Sequence, residues 1–164
     1  MWRSWLARAA GGREVAGSSP VTPTKEPRMK QAKLFTDGGA RGNPGPAATA
    51  FVICKMDDTV VEKSGKYIGK TTNNQAEYQA LIAGLSRCLE LGIKDLTVYM
   101  DSELVVKQIQ GLYKVKNLEL KPHHLKVQEI MPNFKSIRFM HVRRALNKLA
   151  DAELNRVLDE LNKV

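Results

Sequence analysis

The sequence predicts an α/β fold in which a mixed sheet of five strands is flanked by helices. Three observations carry this expectation. Residues 33–68 hold three β-compatible segments joined by short links. Two further apolar β segments follow, at 96–100 and 137–142. Stretches with helical spacing lie around both of them.

The elements follow in order. Residues 33–36 read as a strand, ahead of the Gly/Pro-rich turn GGARGNPGP. Residues 48–54 are apolar, and residues 60–68 alternate more loosely, with Asp57-Asp58 as the hairpin turn between them. Consecutive strands with short links make an antiparallel meander. Residues 74–91 form a helix, with Tyr78, Leu81, Ile82, Leu85 and Leu89 at helical spacing and Gly92 at its end. Residues 96–100 are the fourth strand. Residues 102–110 are a short helix with Leu104, Val105 and Ile109 on its apolar side. Pro122 opens a helix that runs to about Met131. Residues 137–142 are the last strand. A final helix from Ala145 to about Leu161 buries Leu146, Leu149, Leu154, Val157, Leu158 and Leu161.

The chain has 164 residues, enough for one domain with a real core. No apolar run is long enough to cross a bilayer. The net charge of +9 favours a polyanionic partner, nucleic acid ahead of a membrane surface. Cys54 and Cys88 are far apart and set among apolar residues, which reads as two small buried hydrophobes in a reducing, cytoplasmic setting. Residues 1–28 are rich in Gly, Ser, Pro and Arg and have no apolar period. They are read as a disordered tail or a misassigned start, with a transit peptide as the other reading. Met29 begins MKQAKLFTDG, a natural start, and GREVAGSSPVTPT resembles translation out of a transfer-RNA gene. Five basic against two acidic residues there account for +3, leaving +6 on a domain at 29–164.

Two strands end alike, one at Asp37 and one at Asp101, each acid followed by Gly or Ser. As parallel neighbours they would place the two carboxylates at one sheet edge, with Cα atoms about 5 Å apart. Either Asp alone also fits a turn former, and Asp101 fits a cap for the helix at Ser102. Glu77 lies in the first turn of the long helix, where the helix dipole alone accounts for an acid. Asp151 lies early in the last helix, four residues after Asn147, and by itself fits a solvated acid. Four clustered carboxylates repel one another and are tolerable with divalent cations. An all-oxygen set suits Mg²⁺ or Mn²⁺ rather than zinc.

Four stretches resemble the motifs of the ribonuclease HI family in order: FTDGGARGNPGPAATAFVI, TTNNQAEYQALIAGL, VYMDSELVVKQI and HVRRALNKLADAELN. The resemblance runs from about Lys33 to Leu161 and points to the family variant without the histidine-bearing loop or the basic handle. It implies a ribonuclease H-like sheet with the first three strands antiparallel and the fourth and fifth parallel to the first. It implies Asp37, Glu77, Asp101 and Asp151 as metal-binding carboxylates. Asn43, Asn73 and Asn74 match hybrid-contacting positions, and Thr72 matches one near a DNA phosphate. The backbone of Gly38, Gly39 and Ala40 would approach the RNA strand, where glycine suits close contact. Arg144 and Asn147 match the R-x-x-N pattern of the histidine-lacking variant and are counted with the substrate-binding positions; both a contact to the scissile phosphate and a solvated arginine fit Arg144. His141 ends a strand and takes no such role.

The implied activity is cleavage of the RNA strand of RNA–DNA hybrids by a monomer, with two divalent ions about 4 Å apart and 5′-phosphate and 3′-hydroxyl products. Glu103 stands where some relatives carry an amide that reads the minor groove. Tyr113, Lys114, Lys116, Lys121 and Lys126 form a small basic patch that fits a solvated face equally well, and His123-His124 read as surface histidines. Two other functions compete: another nuclease or an integrase-like transferase of the same fold, and a catalytically weak nucleic-acid-binding module. The GNPG and TTNN motifs weigh against the first and the four acids against the second.

Overall fold

The computed structural model describes residues 29–161. The expectations for residues 1–28 lie outside the described residues.

Five strands, β1 (Gln31–Ala40), β2 (Gly45–Cys54), β3 (Val60–Thr71), β4 (Asp95–Met100) and β5 (Ser136–His141), form one sheet in the order β3-β2-β1-β4-β5. β1 pairs antiparallel to β2, and β2 to β3; β4 runs parallel to β1, and β5 to β4. The helices are α1 (Asn73–Glu90), α2 (Glu103–Ile109), α3 (Lys121–Ile130) and α4 (Lys148–Leu161). The mixed sheet and its strand directions are those expected.

Period-two alternation divides the core between the two faces of the sheet. Ala32 and Leu34 of β1, with Leu96, Val98 and Met100 of β4, pack with Tyr78, Leu81 and Leu85 of α1, Val105 of α2 and Val127 of α3 in the main core. On the other face, Ala48 and Ala50 of β2 meet Leu154, Val157 and Leu158 of α4. Short side chains on β2 let α4 sit close. A third cluster joins Val52, Cys54 and Ala150, with Phe35 against it. Both cysteines are buried and free, as expected. The exposed edge strand β3 carries Lys63, Lys66 and Lys70, which discourage edge-to-edge pairing.

Several local expectations are corrected. β1 does not stop at Thr36: residues 37–40 keep their antiparallel pairing with residues 47–50 after the β4 ladder ends at Thr36 and Met100. Thr72 caps α1 by accepting from the Gln75 amide, so the helix begins at Asn73 and Glu77 lies beyond its first turn. Ser102, not Asp101, caps α2, its hydroxyl accepting from Val105. That helix turns Val105, Val106 and Ile109 inwards and leaves Leu104 exposed. The last helix begins at Lys148 rather than Ala145. Residues Arg144–Leu146 form a short 3₁₀ turn, and Asn147 (φ −117°, ψ 31°) breaks from helical geometry. Leu146 thereby leaves the buried stripe and is 64% exposed; Leu149 and Leu161 are exposed as well. His123 and His124 are half-buried, each ring 6.4 Å from that of Tyr78. The Tyr78 hydroxyl in turn donates to buried Gln108 at 2.7 Å.

Candidate active site

The β1–β4 register builds the site. The last parallel pair is Thr36 with Met100, so Asp37 and Asp101 are the next residues on each strand, about one strand spacing apart. Two residues earlier, Phe35 and Tyr99 stack with ring centroids 4.9 Å apart. Alternation therefore places both acids on the face of that stacked pair, towards α4.

Glu77 comes from the opposite layer. Its Oε1 accepts from the Gly38 amide at 2.8 Å, which brings α1 onto the end of β1. This approach requires glycine: a Cβ on Gly38 would overlap the Ala76 carbonyl in the α1 backbone. The closeness that the sequence reading assigned to an RNA strand is thus also a contact between β1 and α1. One carboxylate oxygen from each of Asp37, Glu77 and Asp101 lies within 4.8 Å of the other two.

Asp151 stands beside this trio. Its carboxyl accepts from the Arg144 guanidinium at 3.1 Å and lies close enough to Asp37 for its charge to raise the Asp37 pKa. The charge distribution is costly without a cation. Burial pushes the Asp37 carboxyl up to about 8, and the charges of Asp101 and Asp151 add to it. Burial also raises Glu77 well above the ordinary carboxylate range, reinforced by Asp37 and Asp101 and opposed by the Gly38 amide. Asp101 is raised by burial, with the Asn147 amide and Arg144 pulling the other way.

The acids open into a cleft of about 500 Å³ whose walls include Gly38, Gly39, Ala40, Asn73, Asn74 and Arg144. The residues matched to substrate contacts divide into two groups. Asn74 is exposed on the cleft wall. Asn43, Asn73 and Thr72 hold the scaffold: the Asn43 side-chain oxygen accepts from the Asn73 amide at 3.0 Å, and that of Asn73 accepts from Ala40 at 2.7 Å. Both asparagines remain exposed at the surface. Asn147 is 1% exposed and does not line the cleft.

The sequence reading missed Arg41, Leu154, Asn155 and Leu158, which also line the cleft. Arg41 donates to Asp159 at 2.8 Å and reaches Asn155 at 3.5 Å. The signal lay in the sequence: Asp151, Asn155 and Asp159 recur every four residues, one polar face of α4.

Comparison with known proteins gives a consistent answer. The profile of the family described as "Reverse transcriptase-like" matches residues 35–157. The chain is 39% identical to ribonuclease HI of Halobacterium salinarum over 149 residues, which cover 89% of this chain and 75% of that protein. It is 44% identical to a bifunctional protein of Mycobacterium tuberculosis over 127 residues, covering 77% of this chain but only 35% of that longer protein. Among solved structures, the Halobacterium salinarum ribonuclease H1 superposes with a TM-score of 0.77 at 39% identity, over 79% of this chain and 98% of that one. The LC11 ribonuclease H1, solved in complex with an RNA/DNA hybrid, gives 0.76 at 41% identity, over 79% and 98%. A sheet of this order, three acids converging where β1 and β4 part, and relatives of this similarity place the chain in the ribonuclease H family.

Proposed function

We propose that the chain is an endonuclease that hydrolyses the RNA strand of RNA–DNA hybrids, leaving 5′-phosphate and 3′-hydroxyl ends. Asp37, Glu77, Asp101 and Asp151 are its metal-binding carboxylates, and Mg²⁺ or Mn²⁺ is its cofactor. The observation that carries this reading is the convergence of Asp37, Glu77 and Asp101 within 4.8 Å in an open cleft. The donor set fits the ion. It offers carboxylate oxygens with neither thiol nor imidazole in the cluster, as hard divalent cations prefer. Its carboxylate pKa values are raised by burial first and by the neighbouring acids second, and divalent cations offset both. Bound there, the ions supply the charge that turns water into a nucleophile and steadies the leaving 3′ oxygen.

The chain's own residues do the rest. The Gly38 amide holds Glu77 in place, and Asn73 holds Ala40, so the backbone of residues 38–40 forms a fixed lip. Arg144, 74% exposed at the cleft mouth beside Asp151, draws in the phosphate by charge. Asn74 contacts the hybrid, and choice of RNA over DNA rests on such contacts to 2′-hydroxyls. Binding through shape and backbone leaves sequence preference weak. The net charge of +9 suits the polyanion. Among the described residues no helix is long and apolar enough to cross a membrane.

The test incubates the full chain with Mn²⁺ and labelled RNA–DNA hybrid, double-stranded RNA and double-stranded DNA. Cleavage of the hybrid's RNA strand, abolished by EDTA, is expected. A chain that cuts none of the three, or cuts the DNA duplex as fast as the hybrid, overturns the reading. Asn74→Ala should lower hybrid cleavage more than binding to double-stranded DNA; equal losses would give Asn74 a structural role.

A further inference from the structure

Asn147 is matched to the family's motif, yet it lies outside the cleft and is almost wholly buried. Its hydrogen bonds tie the end of β1, just before Asp37, to the first turn of α4, which carries Asp151. The side-chain Nδ2 donates to the Thr36 carbonyl at 2.9 Å, immediately before Asp37 in β1. Its backbone carbonyl accepts from the Asp151 amide at 3.1 Å, the bond that starts the first turn of α4.

A second observation concerns what Asn147 leaves undone. Its Oδ1 is buried without a partner, as is the Thr36 hydroxyl beside the bond it makes. An unpaired polar oxygen in the interior is unfavourable. Stability alone therefore does not account for an asparagine here, whereas its donors and the break it makes before Lys148 do. Without that break the chain would run as helix from Arg144, and Asp151 would meet the sheet in a different phase.

We propose that Asn147 is a positioning residue: it fixes Asp151 on α4 against the Asp37 end of β1, and so sets the site's affinity for divalent cations. The proposal rests on the metal-dependent reading above. It differs from the substrate contact that the family resemblance implies, because no hybrid reaches a buried amide.

The test compares wild type with Asn147→Leu, which keeps the branched shape but removes both donors and the orphan oxygen. Mn²⁺ binding is measured by calorimetry without substrate, alongside kcat and KM for hybrid across a range of Mn²⁺ and the melting midpoint. Outer-shell partners of this kind typically account for about 10–100-fold in metal affinity. The expected result is a loss of that size in Mn²⁺ affinity, an unchanged KM at saturating Mn²⁺, and a kcat that excess Mn²⁺ partly restores. Unchanged Mn²⁺ affinity with a raised KM makes Asn147 a substrate contact and overturns the proposal. Unchanged affinity with only a lowered midpoint makes it merely structural and overturns it too. Asn147→Ser, which retains one short donor, decides the matter should the leucine variant not fold: Mn²⁺ affinity reduced at unchanged KM supports positioning, and wild-type affinity refutes it. Wild-type protein that binds no Mn²⁺ would instead bring down the metal-dependent reading itself.

Discussion

The two helices that bring acids to the sheet do so in opposite ways. α1 lies on a continuous apolar core of β1, β4, α2 and α3, and Glu77 is held against β1 by a main-chain amide. α4 rests on two small clusters around Ala48, Ala50 and Ala150, and its start is tied down by the polar side chain of Asn147. Three acids thus come from a rigid unit, and the fourth comes from an attached helix whose entry turn is largely exposed. The comparison shows that a shared site need not be supported equally on all sides.

The largest effect that distinguishes the two sides is on activity. Asp37→Asn removes a member of the buried trio without opening a cavity. Hybrid cleavage should fall by more than the roughly 100-fold lost with a single hydrogen-bond donor at a site of developing charge. Asp151→Asn should lose less under the same assay and recover more with added Mn²⁺, because the trio remains intact. Equal losses would mean that all four acids act as one unit.

Gly38→Ala should come next. The added Cβ meets the α1 backbone, which has no rotamer to yield. A cost of about 1–3 kcal/mol is expected, as for overpacking elsewhere, with cleavage lost alongside stability. A melting midpoint within a degree of wild type would show that α1 is less firmly seated than its contacts indicate.

The third effect is on pH. Asp37, Glu77 and Asp101 have folded pKa values above their ordinary ones. The metal-free native state therefore holds protons that the unfolded chain releases. The stability this gives is fully present below the unfolded value near 4 and, for Asp37, is lost as pH rises through about 8. In EDTA the wild-type midpoint should fall relative to Asp101→Asn between pH 5 and pH 8. At neutral pH Asp101→Asn should melt higher by roughly 3–5 °C for each kcal/mol of repulsion removed. Saturating Mn²⁺ should reverse the order, stabilising wild type by about 2.7 kcal/mol at a hundredfold excess over Kd. A wild-type midpoint indifferent to both pH and Mn²⁺ would separate the acids into unrelated groups.

The last contrast is in packing and leaves the chemistry of the site untouched. Leu81→Ala under α1 should cost about 2–5 kcal/mol, as for other buried leucines. Leu149→Ala near the start of α4 should cost under about 1 kcal/mol, since half its surface is already in water. Denaturant melts of both variants measure the difference.

Much of this was readable in the sequence because it depends on short-range pattern. An acid directly after each apolar run put Asp37 and Asp101 together where the β1–β4 ladder ends, and helical spacing identified α1 and the buried half of α4. Depth was not readable. Nothing in R-x-x-N distinguishes a surface amide from one sealed against Thr36, because the partner lies 111 residues away. The last helix was begun three residues early for the same reason: Leu146 fits the apolar stripe locally, and only the Asn147 contact breaks it. The Tyr78–Gln108 bond, with His123 and His124 flanking the ring, likewise joins three helices that local pattern treats separately.

The contact at Gly38 has one more consequence. Where a helix rides on a strand through side chains, each change of core residue alters the gap between them. Here the nearest spacer between β1 and α1 at the site is main chain against main chain, and main chain does not vary with the residue. Sequence drift in the core, at Leu81 or Leu85, can alter how tightly α1 is held while leaving the span from Asp37 to Glu77 almost as it was. The spacing of the acids is thus insulated from the mutational history of the core that supports them, and one glycine is the condition for that insulation.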